Sequence, residues 1–498
     1  MFASLMTGLS AVFQPIPFLL MCFGVAMGTI IGALPGLSGS MGIILLLPLV
    51  YKLPSGVALV MLCGLYCGSM YGGSVSAILL KTPGTPSAAA TMLDGNPLSN
   101  QGYAGKAIGV SAFSSFVGGL ISTICLIFIA PQLAKVALKF QAADYFSLSI
   151  FGLSIMASSS GKSITKGLLS GCVGLLISTI GIDPIVGADR FTFGSYKLMS
   201  GLPLLPVLIG VFALSEILIN LRDGEKATAH IQDQKITKIF PSRKEIAFFL
   251  KAAVVGGLLG VFIGIIPGTG GAIACFLAYN VAQKISRKPE DFGYGSLEGI
   301  AAPEAANNGT TGGALVPMLT LGIPGDVVTS VMLGALVLVG IKPGPLLFVE
   351  NADIVYTLFA GMLIVQFLML GFGLLFARFA PKVLRVPYKT LMPLILILCV
   401  VGAFSLANQT YHITIAIIFG IVGLFMKKYG FPGAPLVLGV ILGPIAEESL
   451  NRALIVSNNS WSILVTRPIS LFFLVMAAVS IVYSLVSSKK TQTSKNYG

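Results

Sequence analysis

Apolar residues in this chain come in long runs without a polar face, interrupted at intervals by Gly-, Pro- and Ser-rich stretches. Ile43–Val50 and Leu391–Val401 are apolar on every side. They therefore predict helices surrounded by lipid or protein rather than amphipathic surface helices. The strands of a membrane barrel would alternate residue by residue over segments of about ten positions, and these runs do not alternate. Crossing a bilayer takes about 20 predominantly apolar residues. By that measure spans are predicted near Pro17–Leu34, Gly56–Gly72, Ala107–Pro131, Tyr145–Ser158, Thr165–Ile182 and Leu204–Asn220. Further spans are predicted near Phe248–Ile266, Ile354–Phe379, Tyr388–Ala407, Ile413–Met426, Ala434–Ile445 and Pro468–Val486. The pattern is that of an all-α polytopic membrane protein with about 12 transmembrane segments.

The longest hydrophilic stretch, Leu221–Ile246, carries Arg222, Lys226, Lys235, Lys238, Arg243 and Lys244. It divides the chain into a first membrane half (1–220), a basic connecting loop (221–247), a second membrane half (248–488) and a basic tail (489–498). Lys and Arg collect on the cytoplasmic side of membrane proteins. The loop, the Arg378–Lys389 connection and the tail with Lys489, Lys490 and Lys495 are accordingly expected there. The first 51 residues contain neither Lys nor Arg, so the N-terminus is expected outside.

Composition agrees with the pattern. The 498 residues are 55% hydrophobic and 10% charged, with a mean hydropathy of +0.93, whereas soluble domains carry roughly 25% charged residues. The net charge of +13 is explained by cytoplasmic loops. No basic cluster is interleaved with aromatic residues, so no nucleic acid is expected as a partner. Cys63 and Cys67 stand one helical turn apart, but two His in the whole chain cannot complete a metal site. The seven Cys read as small buried hydrophobes, and no cofactor or metal is expected apart from a site for Na⁺. The N-terminus lacks a basic n-region, so no cleavable signal peptide is expected.

One stretch resists this simple reading. Glu298–Pro324 holds Glu298, Glu304, the paired amides Asn307 and Asn308 and the paired hydroxyls Thr310 and Thr311, then runs into an apolar segment ending at Pro324-Gly325. A lipid-facing helix would not tolerate that cluster, which predicts broken or re-entrant backbone covered by protein or a water-filled cavity.

The chain also repeats itself. Gly28, Gly32, Pro35-Gly36 and Gly39 match Gly260, Gly264, Pro267-Gly268 and Gly271 in spacing. Downstream, Gly72-Gly73 leads to Pro83-Gly84, and Gly312-Gly313 leads to Pro324-Gly325. Gly/Pro-interrupted segments at matching places in two halves point to a transport site at a repeat interface. An odd number of spans between the copies would invert the second repeat, which suits alternating access.

On these residues the chain resembles the large membrane subunit of the tripartite tricarboxylate transporter family (TctA-like). The likeness rests on Gly32–Gly39, Tyr71–Leu80 into Thr82–Pro86, Leu93-Asp-Gly95, Gly102 and Gly105–Ser115. In the second half it rests on Gly299–Asn308, Gly312–Ala314, Gly322–Gly325 and Pro343-Gly-Pro345. The resemblance implies a subunit of the bacterial cell inner membrane that forms the translocation path beside a small membrane subunit of roughly four helices. A periplasmic solute-binding protein would deliver the substrate, a tricarboxylate, dicarboxylate or related organic acid. An ion gradient, through Na⁺ or H⁺ symport, would drive uptake. Two positions differ from the family pattern: Lys81 is often Asn, and Asp326 is often small.

A carboxylate needs donors and positive potential, which half-helix N-termini supply. The expected substrate-binding residues are Ser38, Ser40, Ser74, Ser76, Lys81, Thr82, Thr85, Thr269, Thr310 and Thr311, set around the helix breaks Pro35-Gly36, Pro83-Gly84, Pro267-Gly268 and Pro324-Gly325. A coupling cation needs oxygen ligands. Asn307 and Asn308 would suit Na⁺, and Glu304 or Asp326 would suit a proton, since ionisable residues at membrane depth are functional by default. Glu298 reads equally well as a solvated loop position. A channel or facilitator for small organic anions is the alternative, although a pore draws identical filter residues from several subunits rather than paired broken helices from one chain. No enzyme is expected: the sequence shows no Gly-x-Ser-x-Gly with a partnering His, no His-Glu-x-x-His and no nucleotide phosphate loop.

Overall fold

The computed structural model describes residues 2–159, 163–183, 187–223, 236, 239–386, 388–405 and 408–495. Most of the basic connecting loop, with Lys226, Lys235 and Lys238, lies outside the described residues. So do the side chains of Lys489, Lys490 and Lys495 and the structure of 496–498. Among the described residues eight helices are long and apolar enough to cross a membrane. They correspond to eight of the twelve predicted spans. The other four segments form shorter apolar helices over their described residues: Ala142–Ile155, Ile164–Ser178, Thr390–Ser405 and Pro468–Val482. Apart from one antiparallel two-residue pairing, Gly181–Ile182 with Asp189–Arg190, the described regular structure is helical.

The chain forms two compact units, and each draws on both sequence halves. One comprises residues 1–134 and 223–395, the other 135–222 and 396–498.

The first unit holds the breaks. Its principal helices are α1 (Pro15–Ala33), α2 (Gly39–Val50), α3 (Ser55–Leu80), α4 (Met92–Leu98) and α5 (Ala104–Ala137) from the first half. From the second half come α6 (Arg243–Ile265), α7 (Gly270–Ile285), α8 (Leu297–Leu321), α9 (Val327–Leu338) and α10 (Ala352–Val383). A short 3₁₀ turn, Pro86–Ala89, sits between α3 and α4. α3 and α8 form the centre: every residue of Ala58–Ile78 and of Glu298–Thr320 is buried.

Glycine sets how closely those central helices are approached. On α1, Gly24, Gly28 and Gly32 lie against the carbonyls of Met61, Leu65 and Ser69, and a Cβ at each would come within 2.2 Å of the oxygen. On α6, Gly256, Gly260 and Gly264 meet the carbonyls of Ala302, Ala306 and Thr310 at 2.2, 2.3 and 2.9 Å by the same measure. The contact is returned from α3 by Gly68 and Gly72 onto the Val25 and Thr29 carbonyls, and from α8 by Gly309 and Gly313 onto the Gly257 and Val261 carbonyls. Within membranes such small-residue faces let backbones touch, where dispersion rather than hydrophobic driving force supplies the association.

The stretch expected to be broken is instead one continuous helix. α8 runs through the Glu, Asn and Gly cluster with Pro303 and Pro317 inside it, and breaks only at Gly322, which has φ 72°. The polar cluster is compatible with a helix because α8 meets protein on every side and lipid on none.

The second unit packs Ala142–Ser159, Ile164–Ser178, Leu204–Leu221, Thr410–Lys428, Gly433–Val456 and Pro468–Lys495. Gly174 and Gly439 repeat the close-approach device against the Leu436 and Gly171 carbonyls. It holds several ion pairs: Arg190 with Glu447 and Asp183, Lys427 with Glu216, and Arg467 with the buried Asp144 at 2.7 Å. The hydrogen bonds that Arg467 donates to Asp144 hold its guanidinium above its ordinary range. Glu447 is thus ion-paired, and Asp189 lies in a strand.

Candidate functional site

Four breaks interrupt the first unit. α1 leaves through Pro35-Gly36 and α6 through Pro267-Gly268, with positive φ at both glycines (83° and 76°). α3 ends on Lys81 in the left-handed region (φ 55°) and α8 on Gly322. The second break in each half returns onto the first. A Cβ on Gly84 would lie 2.1 Å from the Gly32 carbonyl oxygen, and one on Gly325 would lie 2.8 Å from that of Gly264. The Gly268 amide donates to the Gly325 carbonyl at 2.8 Å.

The half-helices beyond the breaks then cross between sequence halves. α2, from the first half, packs on α9, from the second, with Gly39 facing Val328. α7, from the second half, packs on the 3₁₀ turn of the first, with Gly271 facing Ser87.

Between these crossings runs a buried polar seam. Glu304, fully buried on α8, accepts four hydroxyl hydrogen bonds: from Ser74 on α3, from Thr91, and from Ser111 and Ser115 on α5 at 2.9 and 3.0 Å. A carboxylate ion has about four acceptor positions, so these hydroxyls fill it. One turn further on, the Asn307 side chain donates to the Met70 carbonyl at 3.1 Å, and its Oδ1 has no donor. Neither side-chain atom of Asn308 has a partner, nor has Oε1 of Gln366 on α10. Gln366 donates to Cys67 and Thr123 at 3.6 and 3.4 Å. Three buried amide groups thus leave oxygens unpaired along one seam. Buried acceptors are normally satisfied, so this concentration is a feature of the site.

A profile of the tripartite tricarboxylate transporter TctA family matches residues 18–438, which include the four breaks and the polar seam. The chain belongs to that family. An uncharacterized 52.8 kDa protein from the TAR-I ttuC′ 3′ region of Agrobacterium vitis is 35% identical over 493 residues, covering 99% of this chain and 98% of that protein. An uncharacterized protein from the TAR-II ttuC′ 3′ region of the same organism is 35% identical over 233 residues, 47% of this chain and 96% of that protein. No solved structure matches. This TctA-family chain is a multi-pass membrane protein and a subunit of a tripartite tricarboxylate transporter.

The residues predicted for substrate and ion fall into distinct settings in the TctA-family chain. Ser74 belongs to the Glu304 cage. Ser38 and Ser40 share a hydrogen bond at 2.9 Å at the start of α2. Ser76, Thr310 and Thr311 donate to carbonyls three residues back within their own helices, and Thr82 and Thr269 donate to carbonyls at the ends of α3 and α6. Thr85 is buried with an unpaired hydroxyl. Lys81 is exposed, with no ion pair among the described residues. Asp326 caps α9: Oδ1 accepts from the Thr329 amide at 2.7 Å and Oδ2 from the Tyr66 hydroxyl at 2.6 Å. Glu298, open to a solvated reading from sequence, is buried in the first turn of α8 and accepts from Ser286.

Besides the cage donors Thr91, Ser111 and Ser115, three residues escape the sequence-based site prediction. Gln366 is one. Ser87, facing the start of α7, is another. Asp94 is the third: it is fully buried, and its Oδ1 accepts from the amides of Gly293, Gly295 and Ser296 at 2.8, 2.9 and 2.8 Å. It fastens the turn that launches α8. A Cβ on Gly299 would lie 2.0 Å from Asp94 Oδ2, so glycine is required there. The available signals were a lone Asp before Gly95 and the glycine-spaced turn Gly293–Ser296.

Proposed function

We propose that this chain is the translocating subunit of an ion-gradient-driven importer for a di- or tricarboxylate or related organic acid, working by alternating access at the Pro-Gly helix tips. The observation that carries the reading is the crossing of half-helices, α2 on α9 and α7 on the 3₁₀ turn. Each crossing combines one element from either half. The matched glycine contacts of α1 on α3 and of α6 on α8 support two structural repeats, inverted with respect to the membrane. Alternate exposure of equivalent crossings is what such a pair is suited to do.

Partners follow from the tripartite family. A periplasmic solute-binding protein delivers the acid, and a small membrane subunit accompanies this chain in the bacterial inner membrane, with the C-terminus cytoplasmic. The coupling ion, Na⁺ or H⁺, acts along the α8 seam. The unpaired oxygens of Asn307, Asn308 and Gln366 are the acceptors a Na⁺ ion needs, and Glu304 supplies negative charge close by. A proton at Glu304 would displace one of its four hydroxyl donors. Asp326 has both oxygens engaged as a helix cap, which leaves it the weaker ion ligand.

The test is uptake of radiolabelled citrate, malate, succinate and benzoate into vesicles containing this chain, its small subunit and the binding protein, with Na⁺ and pH gradients imposed separately. Accumulation above equilibrium that needs the binding protein and one gradient is expected. Gradient-independent uptake that stops at equal concentrations would make the protein a facilitator instead.

A further inference from the structure

The helix starts beyond the four breaks differ in how their free N–H groups are met. α2 is capped by Ser38, whose hydroxyl accepts from the Met41 amide at 3.3 Å. α9 is closed by the reciprocal Asp326–Thr329 cap. The 3₁₀ turn has four residues, too short for an N-terminal site. α7, with 16 residues, starts without a side-chain cap, because the Thr269 hydroxyl donates backward to the Ile263 and Ile266 carbonyls. The first-turn N–H groups of α7 and its positive dipole end are therefore left for another acceptor.

Ser87 faces that start. The residue is 6% exposed, and its Oγ would lie 2.5 Å from a Cβ on Gly271, the second residue of α7. Among the described residues it makes no hydrogen bond. Thr310 borders the same glycine at 3.4 Å, but its proton is committed to the Asn307 carbonyl. Ser87 is thus the free donor at this point, and Thr85, two residues earlier, holds a second buried hydroxyl without a partner.

We propose that the N-terminus of α7, with Ser87 opposite it, is the subsite that binds one carboxylate group of the transported acid. The proposal rests on the carboxylate-transport reading above and assigns its anion to one of the two crossings. The other crossing is unsuited to an anion: Ser38 and Asp326 occupy its helix starts, and the Asp326 carboxylate repels a second negative charge. At α7 the carboxylate oxygens accept from the first-turn amides and from the Ser87 hydroxyl. A Cβ at Gly271 would fall 2.5 Å from the Ser87 Oγ, so any side chain there pushes this donor out of place.

The full-length chain in lipid nanodiscs tests this with citrate, malate, succinate and benzoate as probes, by thermal shift and calorimetric titration. At least one acid is expected to raise the melting temperature of the unmodified protein. Ser87→Ala and Gly271→Ala should each raise the Kd of that acid about 10- to 100-fold, as expected for losing a hydrogen bond to a charged group. The ligand-free melting temperature of Ser87→Ala should stay close to the unmodified value, whereas Gly271→Ala acts by displacing the Ser87 hydroxyl. Unchanged affinity in both variants, with the acid still binding the unmodified protein, would overturn the subsite and leave the transport reading standing. No binding of any acid to the unmodified protein would contradict the carboxylate reading, and the subsite with it.

Discussion

The two crossings in the first unit share a frame and differ at their helix starts. In both, a half-helix from one sequence half meets an element from the other beside a glycine contact that brings backbones together. At α2 and α9 the starts are closed by side chains of the chain itself, and Tyr66 locks the capping Asp326. At α7 and the 3₁₀ turn the starts are open, and the Ser87 hydroxyl facing α7 is uncommitted. One crossing is finished as a structural joint, and the other is left with donors but no acceptor. A duplicated frame can thus keep its geometry in both copies while the binding chemistry concentrates in one.

The largest effects should fall on the shared frame. Gly28→Leu and Gly260→Leu would drive a side chain into backbone 2.2–2.3 Å from the Cβ position, a clash worth more than about 3 kcal/mol where nothing can move aside. Both should abolish recovery of monodisperse protein in size-exclusion chromatography. Survival of either would show that the two glycine contacts are not equivalent.

Next comes the polar seam. Asn307→Ala and Asn308→Ala should reduce gradient-driven uptake at least tenfold while the melting temperature falls by only a few degrees, since together they hold one side-chain hydrogen bond. Unchanged uptake in both would remove the amides from ion coupling.

The difference between the crossings is sharpened by comparing caps. Asp326→Ala removes a helix cap and strands the Tyr66 hydroxyl, a loss of about 2–4 kcal/mol in stability. Thr269→Ala, at the uncapped start of α7, should cost less than about 1 kcal/mol. Equal losses in thermal denaturation would break the comparison. The smallest expected difference is between Ser38→Ala, at about 1 kcal/mol for a lost cap, and Ser87→Ala, within about 0.5 kcal/mol of the unmodified protein when no acid is bound.

Much of this frame was legible in the sequence, because it is written in local spacing. Glycines four residues apart and Pro-Gly pairs after them mark close helix contacts and chain breaks without reference to any partner. The continuity of α8 was not legible: whether a helix carrying Glu304, Asn307 and Asn308 is tolerable depends on what surrounds it, and only the fold shows that α3 and α5 do. The same holds for the Glu304 cage, whose donors Ser74, Thr91, Ser111 and Ser115 lie 189–230 residues away along the chain. Ser87 is not legible in the sequence because its significance is a missing bond, and missing bonds appear only once neighbours are in place.

The measurement that bears most directly on the asymmetry of the crossings is a cryo-electron microscopy map of the full chain in nanodiscs, saturated with whichever acid stabilises it most. The expected result is ligand density against the first turn of α7, within hydrogen-bond reach of Ser87. Density instead at the start of α9, beside Asp326, would contradict the assignment of the anion to the open crossing.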